Sequence, residues 1–357
     1  MVTSKFSGRL GLQQRVLPSY RVPFFDLLAG ASEGGMSLFA GMARDEESVK
    51  AGKLQIANYQ LAENVHLFGG VFYLCHQKGL LNWLADWNPD ALIMEANLRY
   101  LATPSAVKWM HARGRKVIGW GLGAPVRSGK IIWYRFINQF DVMISYSQRG
   151  ADEYAALGFP HEKIFVAHNS VSPRPTLHSD LRPSTFDRPS IIFVGRLQAR
   201  KRVDWLLRCC AEMESKPRLV IVGDGPERAR LESLAKEFYP SAEFVGAKHG
   251  AELTPYFLQA DLFVLPGTGG LAVQEAMAHG LPVIVAKGDG TQDDLVRAGN
   301  GWQIPPEDYG ALVKVTREAL SDASRLRRMG AESLRIVTEE INIEKMVESF
   351  VRALNSV

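Results

Sequence analysis

A chain of 357 residues is long enough for two domains, and its 46% hydrophobic and 22% charged residues exclude the disordered and low-complexity classes. The net charge of +4 is uneven: residues 1–180 carry 19 Lys and Arg against 14 Asp and Glu, the remainder 23 against 24. With no dense basic run, this excludes a nucleic-acid-binding arm and leaves a mild preference for anionic partners in the first half. Cys75, Cys209 and Cys210 have neither a disulfide-framework nor a zinc spacing and read as reduced packing residues. No apolar run reaches the length of a bilayer span, and residues 1–15 are too polar for a secretory signal. The expectation is a cytoplasmic chain, at most peripheral on the inner face of the cell membrane.

In chain order, candidate strands of the first half are residues 15–20, 37–41, 65–68, 91–96, 116–120, 142–146 and 164–167, with helical patterns at 74–87 and 105–113 among them. Residues 172–189 hold Pro173, Pro175, Pro183 and Pro189 without periodicity and read as a linker. The second half is more regular. Apolar runs at 191–195, 219–223, 243–246, 262–266, 282–286 and 301–304 alternate with helices at 203–213, 227–238 and 271–279. Continuous apolar strands between helices predict a parallel sheet covered on both faces, with ligands at the strand C-termini. Ile343, Met346, Val347, Phe350, Val351 and Leu354 put one apolar stripe on a last helix, which must dock; the expectation is that it crosses back onto the first domain. The expected plan is domain 1–172, linker 173–189, domain 190–340 and helix 341–357.

Two segments of the second half carry candidate chemistry. After a strand comes Gly195-Arg196-Leu197 with Lys201 five residues beyond Arg196. Gly195 permits a tight turn or close approach of a ligand; an Arg fork and a Lys point charge can meet one anionic site. After a later strand, Gly267-Thr268-Gly269-Gly270-Leu271 leads into a helix, an arrangement that offers backbone N–H groups to phosphate. Glu275, one turn in, is placed to accept from ribose hydroxyls. No Gly-Lys-Ser/Thr follows, so this is not a P-loop, and no G-x-G-x-x-G follows a strand, which disfavours a nicotinamide dehydrogenase.

These segments, together with Val222-Gly223-Asp224-Gly225-Pro226, Phe244-Val245-Gly246, Asp261 to Pro266, and Gly270-Leu271-x3-Glu275-Ala276-Met277-Ala278-x-Gly280-x-Pro282, resemble the C-terminal domain of the retaining glycosyltransferases of family 4. The resemblance implies a GT-B fold, two Rossmann-like doubly wound domains facing a central cleft. It implies hexosyltransferase-like transfer from a nucleotide-diphosphate sugar to a glycan or lipid-linked acceptor in surface polysaccharide synthesis, with retention and no metal or other cofactor. Arg196 and Lys201 would bind the donor diphosphate with the N–H groups of Gly270 and Leu271. Glu275 would be the second glutamate of the E-x7-E motif, and residues 244–246 would cradle the base beside Gly195 and Gly223. The first glutamate of that motif is replaced by Gly267. The first half resembles the acceptor domain of polysaccharide-assembling members, with Tyr20 and Arg21 after the opening strand and Trp120-Gly121-Leu122-Gly123 at another strand end. Leu122 stands where relatives often have a histidine. Residues 127–140 mix Arg127, Lys130 and Arg135 with aromatics, a pattern that fits either a membrane-surface helix or inward packing. Two other classes stay open: a non-catalytic GT-B module binding a sugar nucleotide or a partner enzyme, and a sugar-nucleotide epimerase.

Overall fold

Residues 4–44, 47, 49–124, 129–175, 188–288 and 290–356 are described by the computed structural model. The chain divides into two units, Met1–Val171 with Ile343–Val357 and Ser172–Asn342. Most of the expected linker, residues 176–187, lies outside the described residues, as does Arg127.

The first unit contains β1 (Leu10–Val16), α1 (Val22–Gly30), β2 (Met36–Gly41), β3 (Asn58–Leu67), β4 (Leu74–Lys78), α2 (Leu80–Trp87), β5 (Ala91–Glu95), α3 (Thr103–His111), β6 (Lys116–Gly121), α4 (Lys130–Ile137), β7 (Val142–Ser145), α5 (Gln148–Ala156) and β8 (Ile164–Val166). Its eight-stranded sheet runs β4-β3-β2-β1-β5-β6-β7-β8. All pairings are parallel except that of β3 with β4. Two expectations are corrected here. The opening strand is Leu10–Val16, and residues 19–21 form a 3-10 turn rather than its end. Residues 74–78 are a strand, not the start of a helix, because Gly79 takes a left-handed conformation (φ 82°) that separates β4 from α2.

The second unit contains β9 (Ser190–Val194), α6 (Val203–Glu212), β10 (Arg218–Val222), α7 (Arg228–Phe238), β11 (Glu243–Gly246), α8 (Thr254–Leu258), β12 (Leu262–Leu265), α9 (Ala272–Ala278), β13 (Val283–Ala286), α10 (Thr291–Leu295), β14 (Gly301–Ile304), α11 (Tyr309–Leu320) and α12 (Ala323–Glu339). Its all-parallel six-stranded sheet runs β11-β10-β9-β12-β13-β14. The chain therefore reverses direction across the sheet between β9 and β12. In open α/β sheets the crevice at that reversal, outside the strand C-termini, is where ligands bind. The two central strands are buried throughout, β9 from Ser190 to Val194 and β12 from Leu262 to Leu265, which is why they read as nearly unbroken apolar runs.

The last helix, α13 (Ile343–Asn355), packs in the first unit. Its stripe of Ile343, Met346, Val347, Phe350, Val351 and Leu354 is buried there. The Phe350 ring meets Phe24 and Trp120 edge-on, each at 4.9 Å between centroids. All three cysteines are buried and free, and burial pushes the Cys209 thiol up to about 11. Among the described residues no helix is long and apolar enough to cross a membrane.

Candidate functional site

The loops that follow β9 and β12 flank the reversal point of the second sheet, and they touch. After β9 the chain turns through Gly195, Arg196 and Leu197 into a 3-10 turn, Ala199–Lys201. The stretch is stitched to its neighbours: Gly195 N donates to Val222 O (3.0 Å), Leu197 N to Asp224 O (2.8 Å) and Gly223 N to Gly246 O (2.9 Å). Gly223 must be glycine, because a Cβ there would lie 1.9 Å from Gly195 O.

Lys201 is buried, and its Nζ donates to Thr268 O at 2.8 Å and to Gly269 O. The ammonium is thus fixed against the glycine-rich turn. Arg200, which sequence reasoning passed over, joins it: Nη1 donates to Thr268 O at 3.3 Å. Arg196 is exposed on the same loop. Thr268 N donates to Arg200 O at 3.2 Å. The N–H groups of Gly269, Gly270 and Leu271 have no acceptor among the described residues, so the turn presents donors next to a fixed cation, the make-up of an anion-binding concavity.

Gly267 explains itself sterically. A Cβ at this position would lie 2.0 Å from Arg200 O and 2.5 Å from Lys201 Cα. The two loops approach backbone to backbone, and any side chain here forces them apart.

Glu275 lies on α9, half-buried, and its carboxylate has no partner among the described residues. Burial raises its pKa above the ordinary carboxylate value. An acid raised in this way destabilises the fold once ionised, so its cost is absent at low pH and grows as pH rises through the window above the unfolded value. Glu275→Gln is therefore expected to raise the melting temperature of the ligand-free protein at pH 8 but not at pH 4, measured by calorimetry. A carboxylate kept unpaired at such a cost points to a ligand. Phe244, Val245 and Gly246 end β11 half-buried, at the same sheet edge.

The residues expected on the first unit separate into two groups. Tyr20 and Leu122 are exposed, whereas Trp120 and Gly121 are buried in β6. Gly123 N donates to the Tyr154 hydroxyl at 3.2 Å. Arg21 is buried; it donates to Ser170 O at 3.3 Å and to Asn169 Oδ1, and lies 5.7 Å from the Trp120 ring. Its position is that of a packing residue under α13. A polar network missed in the sequence stands at the reversal point of this sheet, between β1 and β5. Glu95 accepts from Arg15 N at 2.5 Å, and the Arg15 guanidinium pairs with Glu47 at 2.9 Å. Burial raises the Glu95 pKa, while Arg15 and Arg44 hold Glu47 below its ordinary value against the opposing effect of burial. The only hint was a carboxylate closing the apolar run of β5.

Two Rossmann-like units with these sheet orders are the GT-B architecture of glycosyltransferases. Residues 188–322 match the family model described as glycosyl transferases group 1. The chain is similar to a GDP-mannose-dependent alpha-mannosyltransferase of Mycobacterium tuberculosis, 34% identical over 185 residues, 50% of this chain and 47% of that protein. It is also similar to a GDP-mannose-dependent alpha-(1-6)-phosphatidylinositol monomannoside mannosyltransferase of Mycolicibacterium smegmatis, 26% identical over 60% of this chain and 61% of that protein. The chain spans about half the length of the curated relatives it matches. The crystal structure of Anabaena HepE in complex with UDP shares the fold, with a TM-score of 0.73 at 15% identity over 98% of this chain and 100% of that one.

Proposed function

We propose that the chain transfers a sugar from a nucleotide-diphosphate donor to a glycan or lipid-linked acceptor, with retention and without a metal, in surface polysaccharide synthesis. The observation that carries this reading is the Lys201 ammonium seated on a turn whose Gly269, Gly270 and Leu271 N–H groups have no acceptor among the described residues, followed one helical turn later by Glu275, whose carboxylate has no partner among the described residues. As the glycosidic C–O bond breaks, negative charge grows on the leaving phosphate oxygen. Lys201, Arg200, Arg196 and the N–H groups of Gly270 and Leu271 meet it with preorganised donors. Glu275 accepts from the ribose hydroxyls, and residues 244–246 cradle the base. With Gly267 in place of the first motif glutamate, the donor sugar is held by this turn's backbone and not by a carboxylate. The GDP-mannose dependence of the similar mannosyltransferases and the UDP bound to HepE support the nucleoside-diphosphate class.

The test is a thermal-shift screen against UDP, GDP, ADP and their sugars. A ligand at 100 times its Kd stabilises by about 2.7 kcal/mol; a melting curve unmoved by all of them defeats the proposal. Glu275→Gln is expected to weaken nucleotide binding by about 1–3 kcal/mol. Binding without turnover of donor, with acceptor present, would favour the non-catalytic module.

Peripheral membrane contact through α4 is part of the same proposal. Phe136 and Ile137 are buried, but Ile131 is 71% and Ile132 63% exposed beside Lys130 and Arg135. Apolar side chains flanked by cations fit an anionic bilayer surface. Ile131→Glu with Ile132→Glu is expected to abolish cosedimentation with phosphatidylglycerol vesicles and to leave the melting temperature unchanged; equal sedimentation of variant and wild type counts against the contact.

A further inference from the structure

In the first unit β3 outruns its neighbour. It pairs with β2 only as far as Ala62, opposite Gly41, and its remaining residues pair with β4, from Glu63 opposite Lys78 to Leu67 opposite Leu74. This hairpin is anchored to the C-terminal edge of the sheet: Asn64 Nδ2 donates to Arg15 O at 2.8 Å, Gln77 Nε2 to Gln14 O at 3.1 Å and Cys75 N to Arg99 O at 2.8 Å. Beyond the anchors stands a tip of bare apolar side chains, Phe68, Val71 and Phe72, which are 76%, 79% and 77% exposed. Residues 64–77 contain no Asp, Glu, Lys or Arg. Phe68 holds a left-handed backbone conformation (φ 58°), uncommon for a bulky residue. The tip closes on itself, with Phe72 N donating to Gly69 O at 3.2 Å and Tyr73 N to Gly70 O at 3.4 Å. Just below it, the Tyr73 hydroxyl and His66 Nδ1 are 2.9 Å apart and the two rings are stacked, 5.8 Å between centroids.

We propose that this tip is a finger that enters the apolar layer of a lipid bilayer. It goes beyond the transferase reading, and it differs from the contact through α4 in needing no charge. The bilayer is favoured over a protein partner by area. At about 150–250 Å² for each aromatic side chain, the three tip residues expose on the order of 450 Å², whereas a stable protein interface takes about 800 Å² from each partner. Chemistry points the same way. A segment without charged side chains loses no ion hydration on leaving water. The turn bonds from Phe72 N and Tyr73 N satisfy two donors that hydrocarbon could not. A tyrosine with a polar end, set directly below apolar side chains, suits the boundary between lipid and water.

The experiment places the environment-sensitive dye NBD on Val71→Cys in the full chain and titrates it with neutral phosphatidylcholine vesicles. Cys75, Cys209 and Cys210 are buried, which directs the dye to residue 71. Three side chains give a weak partition, so fluorescence is read and not sedimentation. A saturable blue shift is expected, quenched by lipids brominated on their acyl chains and the same at low and high salt. The dye on Glu33→Cys, an exposed residue ahead of β2 at the opposite edge of the sheet, is expected not to shift. Phe68→Ser added to Val71→Cys is expected to weaken the partition at least about tenfold, the loss of one buried aromatic side chain, with an unchanged melting temperature. No shift at residue 71, an equal shift at residue 33, or an equal partition with Phe68→Ser would each overturn the proposal. So would a vesicle-free dimer that Phe68→Ser dissolves, because the tip then serves a second copy of the chain. Nucleotide melting shifts and sedimentation with phosphatidylglycerol vesicles report the donor site and α4 separately, so each reading can fail alone.

Discussion

Lys201→Ala is expected to lower turnover by about 10²–10³, roughly 3–4 kcal/mol of lost transition-state stabilisation. The size follows from how the ammonium is held. A lysine on an exposed loop must be ordered as charge develops, but Lys201 is already buried, with Nζ on Thr268 O and Gly269 O. Such a charge needs no reorganisation at the moment of reaction, which is the condition for a large electrostatic effect. The measurement is steady-state transfer from a sugar nucleotide, with a thermal melt to show that the variant is folded. Both kcat and kcat/KM fall together if the interaction is made in the transition state alone. A folded variant with wild-type turnover removes Lys201 from the mechanism.

Gly267→Glu is expected to reduce transfer at least as severely, although it restores the glutamate of the family motif. The new Cβ would stand 2.0 Å from Arg200 O and 2.5 Å from Lys201 Cα. Backbone atoms on both sides cannot swing away as a flexible side chain can. The loops must separate, at an overpacking cost of about 1–3 kcal/mol. The hydrogen bond from Thr268 N to Arg200 O is then lost, and Lys201 leaves the turn. The expected result is a lower melting temperature together with loss of nucleotide binding. Gly267→Ala should show the same two changes to a smaller degree, since its Cβ meets the same atoms. An increase in transfer by the glutamate variant would show that the loops yield and that the missing carboxylate limits the enzyme.

The sequence shows the second unit in more detail than the first, for a physical reason. β9, β10, β12 and β13 are buried strands that, after Ser190 and Arg218 at the starts of β9 and β10, consist of unbroken apolar residues. The first unit hides its opening strand behind two glutamines. Gln13 and Gln14 are buried in β1 and depend on a residue distant in sequence, Gln77, whose Oε1 accepts from Gln13 Nε2 at 2.5 Å and whose Nε2 donates to Gln14 O at 3.1 Å. No local pattern announces such a contact. β3 is mostly exposed and polar, so only its last residues look like a strand. At the candidate site, the meeting of the loops carrying Lys201 and residues 267–271 was legible because both follow strands flanking the chain reversal. The role of Gly267 was not legible, because a glycine that admits a neighbouring backbone looks in sequence like one that merely turns.

The placement of α13 has a consequence for the order of assembly during translation. Phe350 completes the aromatic cluster of Phe24 and Trp120, yet it is synthesised only after all of Ser172–Asn342. The second unit can therefore finish folding on the ribosome while the first, although translated earlier, still exposes the apolar face that α13 will cover. A nascent chain stalled before residue 343 should be protease-resistant in its later half and cleavable in its earlier half.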